Sequence, residues 1–216
     1  MVLALGAALE LPLRERNVLL AAAGFAPVYR MSPLDDPCML HVHEAVSHIL
    51  ALHEPHPAIL MDRRWNVLRM NAGAMRLFAF CGVVVPAGAT LNAGRALFDP
   101  ALGLKDSIVN FDAVAEAVLA RLRTECDVDS SMRELLGELE RLRGTVPERP
   151  RETVPNRVAL PVHLRRNGED LRYFTTLTTL GTPLDVTAQE LVIEGYFPMD
   201  DATRAFGQRL ALEAGA

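Results

Sequence analysis

Apolar and polar positions along the chain switch between a helical period and a strand period, and the switches mark out the elements. Met1 to Leu11 is apolar with little polar relief, as a buried helix segment is. Leu13, Val18, Leu19 and Leu20 give part of an apolar stripe on a second helix. Pro12 suits the first turn of that helix, where its missing N–H costs nothing. Gly24 and Pro27 suit its end. Residues 38–53 predict a third helix carrying Leu40, Ala45, Val46, Ile49, Leu50 and Leu52, and Glu54-Pro55-His56-Pro57 breaks it. Ala58-Ile59-Leu60-Met61 then reads as a short strand and Asp62-Arg63-Arg64 as a turn. Trp65 to Met70 reads as the partner strand, with Trp65, Val67 and Arg69 on one face. Asn71 offers its side chain as N-cap to a short helix bearing Met75, Leu77 and Phe78.

Residues 81–110 are irregular, with one short helix near Asn92–Phe98. Val114, Ala117, Val118 and Leu122 recur at helical spacing and predict a helix over 112–126. Ser131-Met132-Arg133-Glu134 has the capping-box pattern and opens a helix with Met132, Leu135, Leu136, Leu139 and Leu142 on one face. Residues 144–157 are rich in proline and arginine and read as an exposed connector. Strict alternation follows. Val158, Leu160, Val162 and Leu164 alternate with Ala159, Pro161, His163 and Arg165. Asn167-Gly168 is a two-residue hairpin signal, because both positions tolerate positive φ. That turn sets a register with Leu164 facing Leu171, Val162 facing Tyr173, Leu160 facing Thr175 and Val158 facing Leu177. Pro161 places the first of these strands at an edge. Glu190 to Phe197 reads as a last strand stopped by Pro198, and a short polar helix finishes the chain.

Helices, two strands, several helices and three strands predict an α+β domain. The last three strands form an antiparallel meander. Two early strands joined to it make a five-stranded antiparallel sheet with helices packed on one face, the layout of a PAS-like domain, preceded by a helical lead-in. The expected division is a lead-in over 1–27 and the sheet domain over 28–216.

Composition narrows the function. Half of the 216 residues are hydrophobic and 23% are charged, which is ample for a core. The net charge is −5, against DNA binding by these residues alone. Cys38, Cys81 and Cys126 are far apart and odd in number, so neither a disulfide scaffold nor a thiol zinc site is expected, and a reducing cytoplasm fits. The apolar runs are too short to span a bilayer, and no membrane association is expected.

Several stretches resemble one family. Pro55-His56-Pro57-Ala58, Asp62-Arg63-Arg64-Trp65-Asn66-Val67 and Asn71-Ala72 look like the opening of the MmyB-like ligand-binding domain of transcription regulators. Ile108-Val109-Asn110-Phe111 resembles the entry to that family's long central helix. The most specific match runs from Phe174 through Gly181-Thr182-Pro183-Leu184-Asp185-Val186-Thr187 into Glu190-Leu191, Ile193-Glu194 and Tyr196-Phe197-Pro198. His56 departs from the pattern, standing where relatives often carry an aromatic residue. The resemblance implies a sensor with an apolar pocket between sheet and helices, and a fatty acid or similar amphiphile as a plausible occupant. It also implies DNA binding through an N-terminal helix-turn-helix of the XRE type that is missing from this sequence. Residues 1–27 resemble the end of that domain and its connector helix. A homodimer is expected, since operators are usually palindromic.

Candidate chemistry is sparse. His41, His43, His48, His53 and His56 are clustered, but no helical pair has i, i+4 spacing, so a polar helix face is favoured over a metal site. Asp35-Asp36 and Asp200-Asp201 suit turns and helix starts. No nucleophile elbow, Walker loop, H-E-x-x-H or dinucleotide fingerprint occurs, and an enzyme is not expected. The expected pocket residues are Trp65, Phe78, Phe111, Tyr173, Thr175, Leu177 and Phe197. Arg64, Arg69 or Arg172 is the candidate to hold a ligand carboxylate in bidentate fashion. Two other readings compete with the sensor: a structural dimerisation module whose pocket is filled by side chains, and a haem- or flavin-binding PAS relative. A void of a few hundred Å³ separates the first from the sensor. A colourless protein excludes the second.

Overall fold

The computed structural model describes residues 1–86, 88–128, 132–144 and 160–214. Its strands are β1 (Ala58–Met61), β2 (Val67–Met70), β3 (Val162–Arg166), β4 (Glu169–Thr178) and β5 (Val192–Pro198), joined antiparallel in the order β2-β1-β5-β4-β3. The early hairpin is thus joined to the late meander, as expected, and the junction is the pairing of β1 with β5. The hairpin turn does what its dipeptide dictates: Asn167 and Gly168 take φ of 50° and 83°. Leu164 pairs with Leu171 and Val162 with Tyr173. The ladder stops there. Leu160 lies before β3, and Val158, with most of the proposed connector, falls outside the described residues.

Strand alternation divides the sheet into two faces. The inner face carries Ile59, Met61, Val162, Leu164, Leu171, Tyr173, Thr175, Leu177, Glu194 and Tyr196. Packed over it are α4 (Ala72–Phe80), α5 (Ala93–Phe98), α6 (Phe111–Val128), α7 (Arg133–Arg143) and, at the sheet's end, α9 (Asp201–Ala214). The short α8 (Val186–Gln189) leads into β5. The α4 helix starts where sequence places it, with the Asn71 side chain accepting from the Ala74 N–H at 2.8 Å. The α7 helix has Met132 at its N-cap, and Ser131 of the expected capping box lies outside the described residues.

The opposite, outer face is also covered in part. The α3 helix (Leu40–Leu52) lays Val46 and Leu50 on Ala58, Leu60 and Ile193. Farther along, the outer face is open and polar, with Arg165 bonded to Asp170 at 2.7 Å.

The second strand begins later than its apolar pattern suggests. Trp65 is in the turn, at φ 63°, and a register shift opposite Leu60 and Met61 follows. Val67 therefore packs inward with Ile59 and Met61. Arg69 pairs with Leu60 and donates to Ser47 of α3 at 2.9 Å, on the outer side. Trp65, Val67 and Arg69 do not share a face, because a bulge inserts one residue and reverses the alternation beyond it.

The lead-in contains α1 (Val2–Ala8) and α2 (Leu13–Ala22). It is tied to the segment before β5. The Leu13 N–H donates to Gln189 Oε1 at 2.6 Å, and the Arg14 guanidinium grips Glu190 with two bonds of 2.6 and 2.8 Å. Arg63, from the β1–β2 turn, reaches the same carboxylate at 3.2 Å.

Candidate ligand-binding site

A cavity of 280 Å³ lies between the inner face and α4–α6. Its walls are mostly aliphatic and aromatic: Met61, Leu77, Phe78, Leu97, Leu104, Ile108, Val114, Val118, Val162 and Leu177 all contribute. Polar side chains come from Arg121 on α6, Thr175 on β4, and Glu194 and Tyr196 on β5, and Trp65 completes the wall. Strand pairing gathers three of them: Tyr196 sits opposite Thr175, and Glu194 sits opposite Leu177 and Ile59.

Glu194 is the least expected group. Burial pushes its carboxyl up to about 6 from an ordinary 4.5, because an ionised carboxylate loses solvation there. The positive charge of Arg121 pulls it part of the way back, as do hydrogen bonds from the Thr175 and Tyr196 hydroxyls. Burial and the neighbouring Glu194 charge hold the Tyr196 hydroxyl well above the usual phenol range, so it remains a donor.

Trp65 and Arg121 close one side. The Arg121 guanidinium lies 4.8 Å over the indole ring, and its Nε donates to Glu125 at 2.7 Å. The indole N–H donates to the other oxygen of Glu125 at 3.0 Å. The Trp65 backbone is held as firmly: the Ala93 N–H donates to its carbonyl at 2.8 Å, and Asn92 Nδ2 donates to the Arg64 carbonyl at 2.8 Å. Gly94 lets α5 come this close, since a Cβ there would stand 2.8 Å from Leu139 and 3.5 Å from the indole.

Met61, Trp65 and Arg121 also line a second, wider groove of 600 Å³. Pro12, Arg14 and Glu15 of the lead-in and Glu190 form other parts of its wall. A thin partition thus separates the interior cavity from a groove that touches the N-terminal helices.

Of the residues singled out from sequence, Trp65, Phe78, Thr175 and Leu177 line the cavity. The others do not. Phe111 packs edge-on against Phe98 at 5.7 Å, with Lys105 4.7 Å over its ring. Tyr173 is on the inner face but is buried in the core that includes Phe206. Phe197 is on the outer face, stacked on Phe174 at 5.1 Å and met edge-on by His53 at 4.8 Å. Arg69 and Arg172 also project outward, and Arg64 is exposed at the turn. For Phe197, Arg69 and Arg172 the reason is parity along a strand, where a shift of one residue exchanges the faces.

Sequence reasoning missed Arg121, Glu194 and Tyr196. Arg121 could have been found, because it falls three and four residues after Val118 and Ala117, on the same helix face. The histidine cluster does not converge: His43 meets the Leu34 carbonyl and His53 the Tyr196 carbonyl. Among the described residues no three His, Cys, Asp or Glu side chains could hold a metal ion.

The class is that of an α+β domain whose antiparallel sheet holds a small hydrophobic chamber under its helices. The profile of the MmyB-like transcription regulator ligand binding domain matches residues 42–210, and the chain belongs to that family. Among solved structures, the PAS domain of Bordetella pertussis BvgS is 17% identical with a TM-score of 0.35, over 80% of this chain and 99% of that one. The Rhodobacter sphaeroides LOV protein is 12% identical with a TM-score of 0.35, over 76% of this chain and 71% of that one. A search of curated proteins found no match. Among the described residues no helix is long and apolar enough to cross a membrane.

Proposed function

We propose that this chain is the effector-sensing part of a bacterial transcription regulator, and that it takes a small apolar or fatty-acid-like guest into the cavity between sheet and helices. The observation that carries this reading is the cavity itself: 280 Å³ of mostly apolar-walled space between the sheet and its helices. That volume lies at the small end of ligand sites, which begin at roughly 300 Å³. Each methylene of a guest buried there gains about 0.8 kcal/mol.

The regulator acts on DNA through an XRE-type helix-turn-helix joined to the lead-in, works as a homodimer in the cytoplasm and performs no catalysis. Occupancy is felt at the lead-in through two short paths. One is the Trp65–Arg121–Glu125 partition, whose far side faces Arg14 and Glu15. The other is β5, which carries Glu194 in the cavity, while Glu190, just ahead of the strand, holds Arg14. A guest that favours one arrangement of these contacts shifts the population of the N-terminal helices.

Native mass spectrometry of the purified protein, followed by organic extraction, tests the proposal. A discrete extra mass released as a single-chain amphiphile is expected. A clean apo mass, together with no thermal shift across a series of alkyl-chain compounds, would leave the domain as a dimerisation module.

A further inference from the structure

The polar end of the cavity carries information about the guest's head group. Arg121 is the obvious anchor for a carboxylate, yet its charge already serves two carboxylates, Glu125 and Glu194. Its Nε bonds Glu125 at 2.7 Å, its plane lies on Trp65, and Trp65 shares the same Glu125 carboxylate. The one positive charge of Arg121 thus stands between two carboxylates, bonded to Glu125 and acting on Glu194 through space, so the group is net negative when both are ionised. Arg121 offsets the Glu194 charge only in part. The other neighbours of Glu194 are two hydroxyls, from Thr175 and Tyr196, and they act on it as hydrogen-bond donors. An ionised carboxylate offers about four acceptor sites, so two donors leave capacity facing the cavity. Every other side chain on the inner wall near it, from Ile59 and Met61 to Leu177, is apolar. A second carboxylate placed there would meet a like charge in a medium of low polarity, whereas a donor would complete the shell.

From this juxtaposition, and resting on the sensor reading above, we infer that the cavity selects a single-chain amphiphile whose head is a non-acidic hydrogen-bond donor, a hydroxyl or an ammonium, held by Glu194 with Thr175 and Tyr196 beside it. The aliphatic walls take the chain. The Arg121–Glu125–Trp65 cluster closes the side toward the groove and does not serve as the anion clamp. Selectivity against a free fatty acid of equal length then comes from charge and not from shape.

The test compares dodecan-1-ol, dodecylammonium and dodecanoate, each below its micelle concentration at pH 7.5, by titration calorimetry on the whole chain. Alcohol or amine is expected to bind at least roughly tenfold tighter than dodecanoate, the effect of one charge-assisted hydrogen bond. The tighter of the two identifies the natural head. Glu194→Gln is expected to abolish the preference by weakening the amine and strengthening dodecanoate. Thr175→Val, an inner-wall change without a change of charge, is expected to weaken the alcohol and keep the order of amine over acid. Dodecanoate binding as tightly as the other two, or Glu194→Gln shifting all three alike, would overturn the assignment while leaving the sensor reading intact. Failure of all three to bind would remove the sensor reading as well.

Discussion

The two faces of one sheet are filled to different standards. On the outer face, Val46 and Leu50 of α3 meet Ala58, Leu60 and Ile193, and the void beside them measures 10 Å³. On the inner face, five helices leave 280 Å³. The same strands supply both surfaces, so the difference is not one of strand chemistry. It lies in the helices: α3 lays a continuous aliphatic stripe on the strands, whereas α4, α5 and α6 enclose the chamber between themselves and the sheet. A packed face fixes the strands, and a fixed sheet lets the other face stay partly empty without collapsing. Interiors normally reach crystal-like density, so an unfilled region of this size has an energetic cost that the rest of the fold must offset.

Truncation separates the faces most sharply. Leu50→Ala should cost about 2–5 kcal/mol in denaturant unfolding, since it opens a new cavity in a filled contact. The same change at the cavity-lining Leu104 should cost less than half as much, because that side chain already lacks partners on one side. Equal losses would mean that the inner face is as well packed as the outer.

Charge comes next. The Glu194 carboxyl is pushed up to about 6 in the folded chain, from an ordinary 4.5. The native state therefore binds the proton more tightly than the unfolded state. Stability is fully present below pH 4.5 and falls as pH rises through 6. The shift corresponds to on the order of 2 kcal/mol. Glu194→Gln should thus stabilise the protein at pH 7.5, by up to about that amount, and should flatten the difference between pH 4.5 and 7. Thermal melts at several pH values read it directly. A melting profile with the same slope in both proteins would show that the carboxylate is solvated.

Filling is gentler. Val118→Phe adds volume where space exists, so its stability should stay within about 1.5 kcal/mol of the parent, while calorimetric binding of any alkyl chain disappears. The smallest effect is expected from the three arginines outside the cavity. Changing Arg64, Arg69 and Arg172 together to alanine should leave guest affinity within roughly twofold, well under the tenfold that marks 1.4 kcal/mol.

These outcomes bear on what sequence alone conveys. The hairpin at Asn167-Gly168 was legible because a turn dipeptide and strict alternation agree on one register, and α4 was legible from its Asn71 cap. The polar end of the cavity was not. In Val192-Ile193-Glu194-Gly195-Tyr196 two apolar residues stand side by side and a glycine interrupts, so parity is ambiguous and a glutamate defaults to solvent. Pairing with β1 and β4 is what places Glu194 beneath the helices. The bulge after Trp65 has the same character: nothing in Trp65 to Met70 announces that the alternation reverses, and the arginine expected inside ends beside Ser47. A bulky residue at positive φ is seldom anticipated, since its cost, roughly 1–3 kcal/mol, is tolerated only when the surroundings hold it. Here Asn92, Ala93 and Glu125 do so.

Trp65 is also the sole tryptophan of the chain. Its indole borders the chamber on one side and the groove toward the lead-in on the other. The protein therefore contains its own optical probe, with no background from a second indole. Entry of a guest changes the polarity around one ring, and loosening of the lead-in changes its access to a soluble quencher. Emission wavelength and quenching constant, recorded in one cuvette, give occupancy and transmission as two separate signals, and compounds can be screened by light on the unlabelled protein.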